Sequence, residues 1–420
     1  MAPAAPVPAP AAPAGRGAPT AVEWTAFAAA IAAFFALGLR IGARSVDFPV
    51  YCHAVLAWRA HGPIYGPHSG LGWPMYYRYP PVFLLFFFPF ALLPVAAAAA
   101  IWLAGKAAAL LAFARAFGRE FGWPRALAPS PAWLAAILLL APYLVLEFRY
   151  GNVEFYIVAL CAAALLLAPR RPALAGALLG LAIAVKVWPL FFVPYWLATR
   201  RRRPAAVAIA VALLLTLAPA LVFGWAGNLH LLGQWAAQES TTALHAGTIW
   251  FPNQSLRGVL TRALPFSDPA ITRLWLPLDL AAYLAFLGFA RSRREPAAAP
   301  TSVAAAFCLL PILAPFTHVK DLVVLLWPAL TLGWLFARRT AASAAVRGLC
   351  SSAAILAGAI PLVPGGRAQH WLQLKGADFV VLCLLAAGLL RAMSGGGSGA
   401  QARPNRQMPD AGLPPAEAER

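Results

Sequence analysis

Asp47 is the first residue in this chain with the makings of a reactive group. It is the only acidic residue between Glu23 and Glu120. It lies in SVDFPVYCHAVLAWRAHGPIYGPHSGLGWPMYYRYPP (residues 45–81), a polar and aromatic stretch between two apolar segments. An ionisable group at the end of an apolar segment is costly unless it is solvated or used. A positioned carboxylate can serve as a general base that takes a proton from a hydroxyl. The plainer reading is a helix-capping or loop Asp paired with a nearby Arg.

Three other stretches carry chemistry-bearing groups. APFTHVKD (residues 314–321) packs His318, Lys320 and Asp321 into a short break between apolar runs, a pattern suited to proton handling or phosphate binding. FRYGNVEF (residues 148–155) puts Arg149, Asn152 and Glu154 between two apolar segments. The long segment 224–270 gathers Gln238, Glu239, Asn253, Gln254, Ser255 and Arg257. It reads either as a surface for a hydroxyl-rich ligand or as an amphipathic helix followed by a capped turn. Lys186, followed by Val-Trp-Pro, and Lys106 interrupt apolar runs; one of them can snorkel to the interface. No P-loop, GxGxxG, HExxH, DxD or CxxC occurs. Four of the five cysteines sit in apolar runs, so neither a disulfide framework nor a metal framework is implied.

The elements that position these groups are membrane helices. Of 420 residues, 61% are hydrophobic and 11% charged, and the mean hydropathy is +0.71. Soluble domains carry about 25% charged residues, so the composition describes a polytopic all-α membrane bundle. The net charge of +19 comes from Arg tracts between apolar runs, which is a positive-inside pattern and excludes nucleic acid as the partner. Spans are expected near 22–40, 81–94, 95–117, 131–147, 152–168, 173–198, 204–223, 271–290, 302–315, 321–337, 344–361 and 377–392, about 11–13 in all. Residues 1–20 and 394–420 read as disordered cytoplasmic tails around a single domain, 21–393. A short interfacial helix is expected after Asp47. With Arg200–203, Arg291, Arg338 and Arg391 inside, the Asp47, 224–270, 315–320 and 362–376 loops share the outer face. Arg170 and Arg171 also belong inside. That requires a broken or re-entrant pair between 81 and 198, and Lys186 with Pro189 marks 173–198 as two half-spans.

The blocks DFPVYCHA…GPIY…YRYPPVF, RYGNVEF, AIAVKVWPLFFVPYWLATRRRR, NQSLRGVLTR and APFTHVKD, in this order over residues ~22–392, resemble glycosyltransferase family 87. This is a family of membrane enzymes in the C-type glycosyltransferase (GT-C) superfamily. It includes polyprenyl-phosphate-mannose-dependent mannosyltransferases and arabinofuranosyltransferases of actinobacterial envelope lipids. The resemblance implies that Asp47 matches a first-loop general base and that His318 matches a late-loop His of the site. Gly151-Asn152 departs from the family's Gly-Gln-Asn element, and Lys186 corresponds to the Lys of a Lys-Pro-like element.

The reaction implied is metal-independent sugar transfer, mannose first, from a polyprenyl-phosphate donor. The acceptor is a lipid or glycan at the outer face of a bacterial plasma membrane, and no cofactor is expected. Arg257, Lys320, Lys186 and Arg78 are candidates for stabilising the leaving phosphate. Tyr51, Tyr79, Asn152, Trp250, Asn253 and Gln254 are candidates for the sugar and lipid path. A flippase or transporter for a lipid-linked sugar is the alternative. It would show internal repeats and mid-membrane charges, whereas here the polar groups concentrate in loops on one side.

Overall fold

The computed structural model describes residues 21–41, 44–66, 70–72, 74–122, 131–244, 252–292, 300–337 and 343–395. Among them it forms 17 α-helices joined by short 3-10 turns, with no strand. The starts and stops follow from sequence. Proline opens the helices Pro81–Ala91, Pro131–Tyr150, Pro172–Val185 and Pro300–Leu313, where its missing N–H has no helical partner to lose. The helix Val95–Phe121 ends at Gly122, which takes the left-handed conformation and returns its N–H to Gly118 O.

Among the described residues, six helices are long and apolar enough to cross a membrane, by length and composition: Val95–Phe121, Trp133–Tyr150, Asp268–Ser292, Val319–Ala337, Ala344–Leu362 and Ala377–Ser394. The pair Arg202–Leu217 and Ala220–Ser240, bent by 89°, makes a seventh if taken as one broken span. Five shorter apolar helices, such as Glu154–Leu167 and Pro172–Val185, complete the bundle. At about 1.5 Å per residue, a 14-residue helix falls short of a ~30 Å hydrocarbon core. The expected 11–13 passes therefore count these short helices along with the full-length ones.

The helices run between two chemically distinct ends. Arg170 pairs with Glu120, and the Trp334 indole donates to Phe121 O at 2.9 Å. The Arg170–Arg171 turn and the lower ends of Val95–Phe121 and Leu326–Ala337 thus share one end. Glu154–Leu167 descends to that turn, and Pro172–Val185 climbs back to Lys186. The helix stops at Lys186, which is extended (φ −148°, ψ 134°), and a 3-10 turn at Trp188–Phe191 follows. The chain then returns through Phe192–Ala198 to the Arg200–Arg203 tract. The expected break at Lys186 is therefore present. It places Arg170–Arg171 and Arg200–Arg203 at the same end.

Parallel packing of Pro172–Val185 on Arg202–Leu217 fixes that return. A Cβ at Gly176 would lie 2.6 Å from Pro204 O, and one at Gly180 would lie 2.6 Å from Ala208 O. The equal four-residue steps on both helices show that they run in the same direction. Gly176-x-x-x-Gly180 is thus a small-residue seam that lets two backbones touch.

The helix after Asp47, Phe48–Arg59, packs one side into the bundle: eight of its twelve residues are buried, its Phe, Tyr and Val side chains joining the aromatic core. One sequence expectation is corrected here. Lys106 does not snorkel: it is fully buried against Glu147. Gly180→Leu forces the two parallel helices apart, and should cost about 1–3 kcal/mol. Thermal unfolding of the purified protein in detergent should show a lowered midpoint.

Candidate active site

The site forms where three turns meet at the end opposite the Arg170–Arg171 turn. The first turn precedes the helix Phe48–Arg59. Asp47 occupies that helix's N-cap position but makes no side-chain cap hydrogen bond. Its backbone N–H donates to Tyr150 O at 2.8 Å. This docks the turn onto the second one, Tyr150–Val153. Gly151 permits the contact in two ways. Its φ is +68°, and a Cβ there would meet Phe48 Cβ and Ser45 Oγ at 2.9 Å.

Asn152 is buried and joins the two turns. Its Nδ2 donates to Asp47 Oδ2 at 2.6 Å, and its Oδ1 accepts the Glu154 N–H at 2.8 Å and the Tyr79 hydroxyl at 3.4 Å. The Glu154 N–H can only donate, so it fixes the amide with its NH2 toward Asp47. Tyr51 backs the arrangement. Its hydroxyl accepts the Val153 N–H at 3.2 Å and lies 3.1 Å from the Tyr79 hydroxyl.

The third turn carries His318, Lys320 and Asp321. His318 caps the 3-10 helix Val319–Leu325: its Nδ1 accepts the Lys320 N–H at 3.2 Å, and the Asp321 carboxylate accepts the His318 N–H at 3.1 Å. The cap aims Lys320 Nζ at Asp47 Oδ2, 3.0 Å away, with both side chains only 16% exposed. The ammonium also sits 5.6 Å from the Tyr150 ring centroid. Asp47 is thus neither a cap nor an Arg partner. It is paired with Lys320 and Asn152, both on Oδ2, which leaves Oδ1 open to a third group.

Lys186 enters from the helix break. Its ammonium pairs with Glu154 Oε2 and stays 30% exposed, while Glu154 is buried. The Tyr79 hydroxyl lies within electrostatic reach of both Lys186 and Lys320. Burial pushes the His318 imidazole down from the usual 6.5 to about 4, against the opposing pull of Asp321. The ring is therefore neutral near pH 7, and with Nδ1 accepting, its proton sits on Nε2. Among the described residues, no group of three His, Cys, Asp or Glu side chains is arranged to hold a metal ion.

The structure therefore brings together Asp47, Asn152, Lys320, His318, Lys186, Tyr51 and Tyr79. Other candidates face different partners. The Arg257 guanidinium pairs with Asp268 at 3.1 Å and lies 5.5 Å from the Trp275 ring. Arg78 pairs with Glu239 at 3.3 Å on an exposed rim. Asn253 and Gln254 are fully buried. Asn253 Oδ1 accepts the Thr317 N–H at 2.8 Å and its Nδ2 donates to Pro315 O at 2.9 Å, while the Gln254 N–H donates to Thr317 O at 2.8 Å. Both brace the turn that carries His318. Trp250 lies outside the described residues.

The described parts of segment 224–270 form a helix and a capped turn. The helix is Ala220–Leu244, and in the turn Ser255 Oγ caps Leu256–Ala263. Gln238 still reaches the first loop, accepting the Gly66 N–H at 2.9 Å and donating to Tyr77 O at 2.8 Å. Sequence reasoning missed Glu147 and the pairing role of Glu154. The available signal was their rarity, since the chain has only 14 acidic residues.

Comparison with known proteins bears on this geometry. The family model of glycosyltransferase family 87 matches residues 77–315, more than half of the 420-residue chain. A polyprenol-phosphate-mannose-dependent alpha-(1-2)-phosphatidylinositol mannoside mannosyltransferase of Mycobacterium tuberculosis is 28% identical over 371 residues, 82% of this chain and 84% of the relative. Its namesake from Mycolicibacterium smegmatis is 28% identical over 269 residues, 60% of each chain. A polyprenol-phosphate-mannose-dependent alpha-(1-2)-phosphatidylinositol pentamannoside mannosyltransferase from the same organism is 32% identical over 175 residues, 40% of this chain and 42% of the relative. No solved structure matches. Asp47, His318 and Lys320 lie outside the residues matched by the family model, so their assignment rests on the three-turn geometry. With that match and its polytopic helical build, the chain belongs to glycosyltransferase family 87.

Proposed function

We propose that this enzyme transfers a mannosyl group from a polyprenyl phosphate to a hydroxyl of a phospholipid-linked mannoside, at the outer face of a bacterial plasma membrane. The relatives are named for that donor and for that class of acceptor. Their names favour mannose over arabinofuranose. The observation that carries the reading is the Asp47 carboxylate, held by Asn152 and Lys320 from turns 105 and 273 residues away with one oxygen left open.

The acceptor hydroxyl sits against Asp47 Oδ1. As its oxygen bonds to the anomeric carbon, the bond from that carbon to the phosphate oxygen breaks. The electron pair leaves with the polyprenyl phosphate, and the hydroxyl proton passes to Asp47. A single displacement of this kind inverts the anomeric centre. The phosphate gains negative charge, and Lys320 and Lys186 stabilise it. Because lysines supply this charge, the proposal is of a metal-independent transfer, and chelation with EDTA should leave the rate unchanged. His318, neutral and with its proton on Nε2, donates a hydrogen bond to the sugar or the phosphate. Tyr51 and Tyr79 hold Asn152 in register, and Asn253 and Gln254 hold the His318 turn.

Asp47→Asn should fold with a melting temperature close to that of the parent. Its turnover of polyprenyl-phosphate-mannose should fall on the order of 10²–10⁴-fold. Turnover near the parental rate in folded protein sinks the assignment.

His318 gives a prediction with a definite sign. Its folded pKa is depressed below the usual 6.5, to about 4. Its contribution to stability is complete above the unfolded value and is lost as pH falls from about 6.5 through 4. Melting temperatures across that window should therefore drop less steeply in His318→Gln than in the parent. The rate should show no His318 inflection between about pH 5 and 8.

A further inference from the structure

Lys106 and Glu147 form an ion pair with neither side chain exposed, Nζ lying 2.9 and 2.8 Å from the two carboxylate oxygens. Removing both charges from water carries a desolvation cost that their attraction barely repays, and such pairs can often be replaced by apolar residues with no loss of stability. Stability alone therefore does not account for this pair. Its third contact does. Glu147 Oε1 accepts the Phe155 N–H at 3.0 Å. Phe155 is the second residue of the helix Glu154–Leu167, where backbone N–H groups have no partner within the helix. The Glu147 carbonyl also accepts the Gly151 N–H at 3.1 Å. Glu147 thus touches both ends of the turn through Gly151, Asn152, Val153 and Glu154, sharing the Gly151 end with Phe148 O, also at 3.1 Å. That turn presents Asn152 to Asp47 and Glu154 to Lys186.

We propose that Glu147 is a positioning residue for sugar transfer and that Lys106 keeps its carboxylate in place. Glu147 touches neither donor nor acceptor. It acts by fixing the height and rotation of the Asn152 turn, and Asn152 in turn holds Asp47. The pair is set behind the turn in the helices Val95–Phe121 and Pro131–Tyr150; its direct partners are each other and the Phe155 N–H, while Lys106 lies within electrostatic reach of Asp47 and both ions within reach of Lys320. This inference rests on the reading of Asp47 as the general base.

Two double variants of the full-length enzyme separate charge from positioning. Lys106→Met with Glu147→Gln removes both charges but keeps an oxygen for the Phe155 N–H. Lys106→Met with Glu147→Leu removes that oxygen too. Melting temperature, kcat, and KM for polyprenyl-phosphate-mannose are measured on each, with rates referred to folded protein. The Gln variant should keep kcat within about tenfold of the parent. The Leu variant should lose about 100-fold in kcat with KM little changed, the scale expected for misplacement by about an ångström.

Parental kcat in folded Leu variant overturns the proposal. So does an equal loss in the two folded variants, which would place the effect in the charges. If the Leu variant does not fold, the Gln variant decides: a folded Gln variant that loses more than about tenfold is the overturning result, and one within that limit supports the proposal. Asp47→Asn is assayed alongside. Full activity there would strike down the base assignment itself, whatever the double variants show.

Discussion

A carboxylate held away from water needs a partner that cannot drift, and Asp47 has two. Its Oδ2 takes one hydrogen bond from Asn152 and one from Lys320. Those donors stand 105 and 273 residues further along the chain, so the arrangement exists only if three turns come to one end of the bundle. The helix directions are consistent with this requirement. Pro131–Tyr150 rises to the second turn, Glu154–Leu167 descends from it, Pro172–Val185 returns to Lys186, and Val319–Ala337 descends from the third. Gly151 is where the arrangement is least tolerant. It combines a positive φ with a backbone approach that has no room for a methyl group.

Much of this was legible in sequence because polar residues are scarce. Asp47, Lys186 and the His318–Asp321 break stood out against apolar runs, and each marks a helix boundary in the structure. For segment 224–270 the same reasoning left two forms open. Asn253, Gln254 and Arg257 have the composition of a ligand surface, yet their hydrogen bonds and ion pair go to the protein itself, to Thr317, Pro315, Gln373 and Asp268. Composition cannot tell a polar group that faces a ligand from one that braces a turn. That difference depends on what the rest of the chain places opposite it. Lys106 was misread for a related reason. Its partner Glu147 is 41 residues away, and no local pattern announces a contact between separate helices. By contrast, Gly176-x-x-x-Gly180 is a local pattern, small residues at a spacing that lets helices touch, yet it was not among the sequence expectations.

The two lysines of the site each arrive with a carboxylate, Lys320 with Asp47 and Lys186 with Glu154. This constrains the proposed transfer. A donor phosphate enters cations that are already engaged, and Lys320 is shared between the phosphate and the base. As the acceptor proton reaches Asp47, that carboxylate loses its negative charge. At the same time the leaving phosphate gains one. Lys320 then shifts its interaction from the group being neutralised to the group being charged without crossing the site. A preorganised cation that serves both ends of one displacement needs little rearrangement at the moment of reaction. Asn152 completes the logic, because a neutral donor can stay bonded to Asp47 in either protonation state.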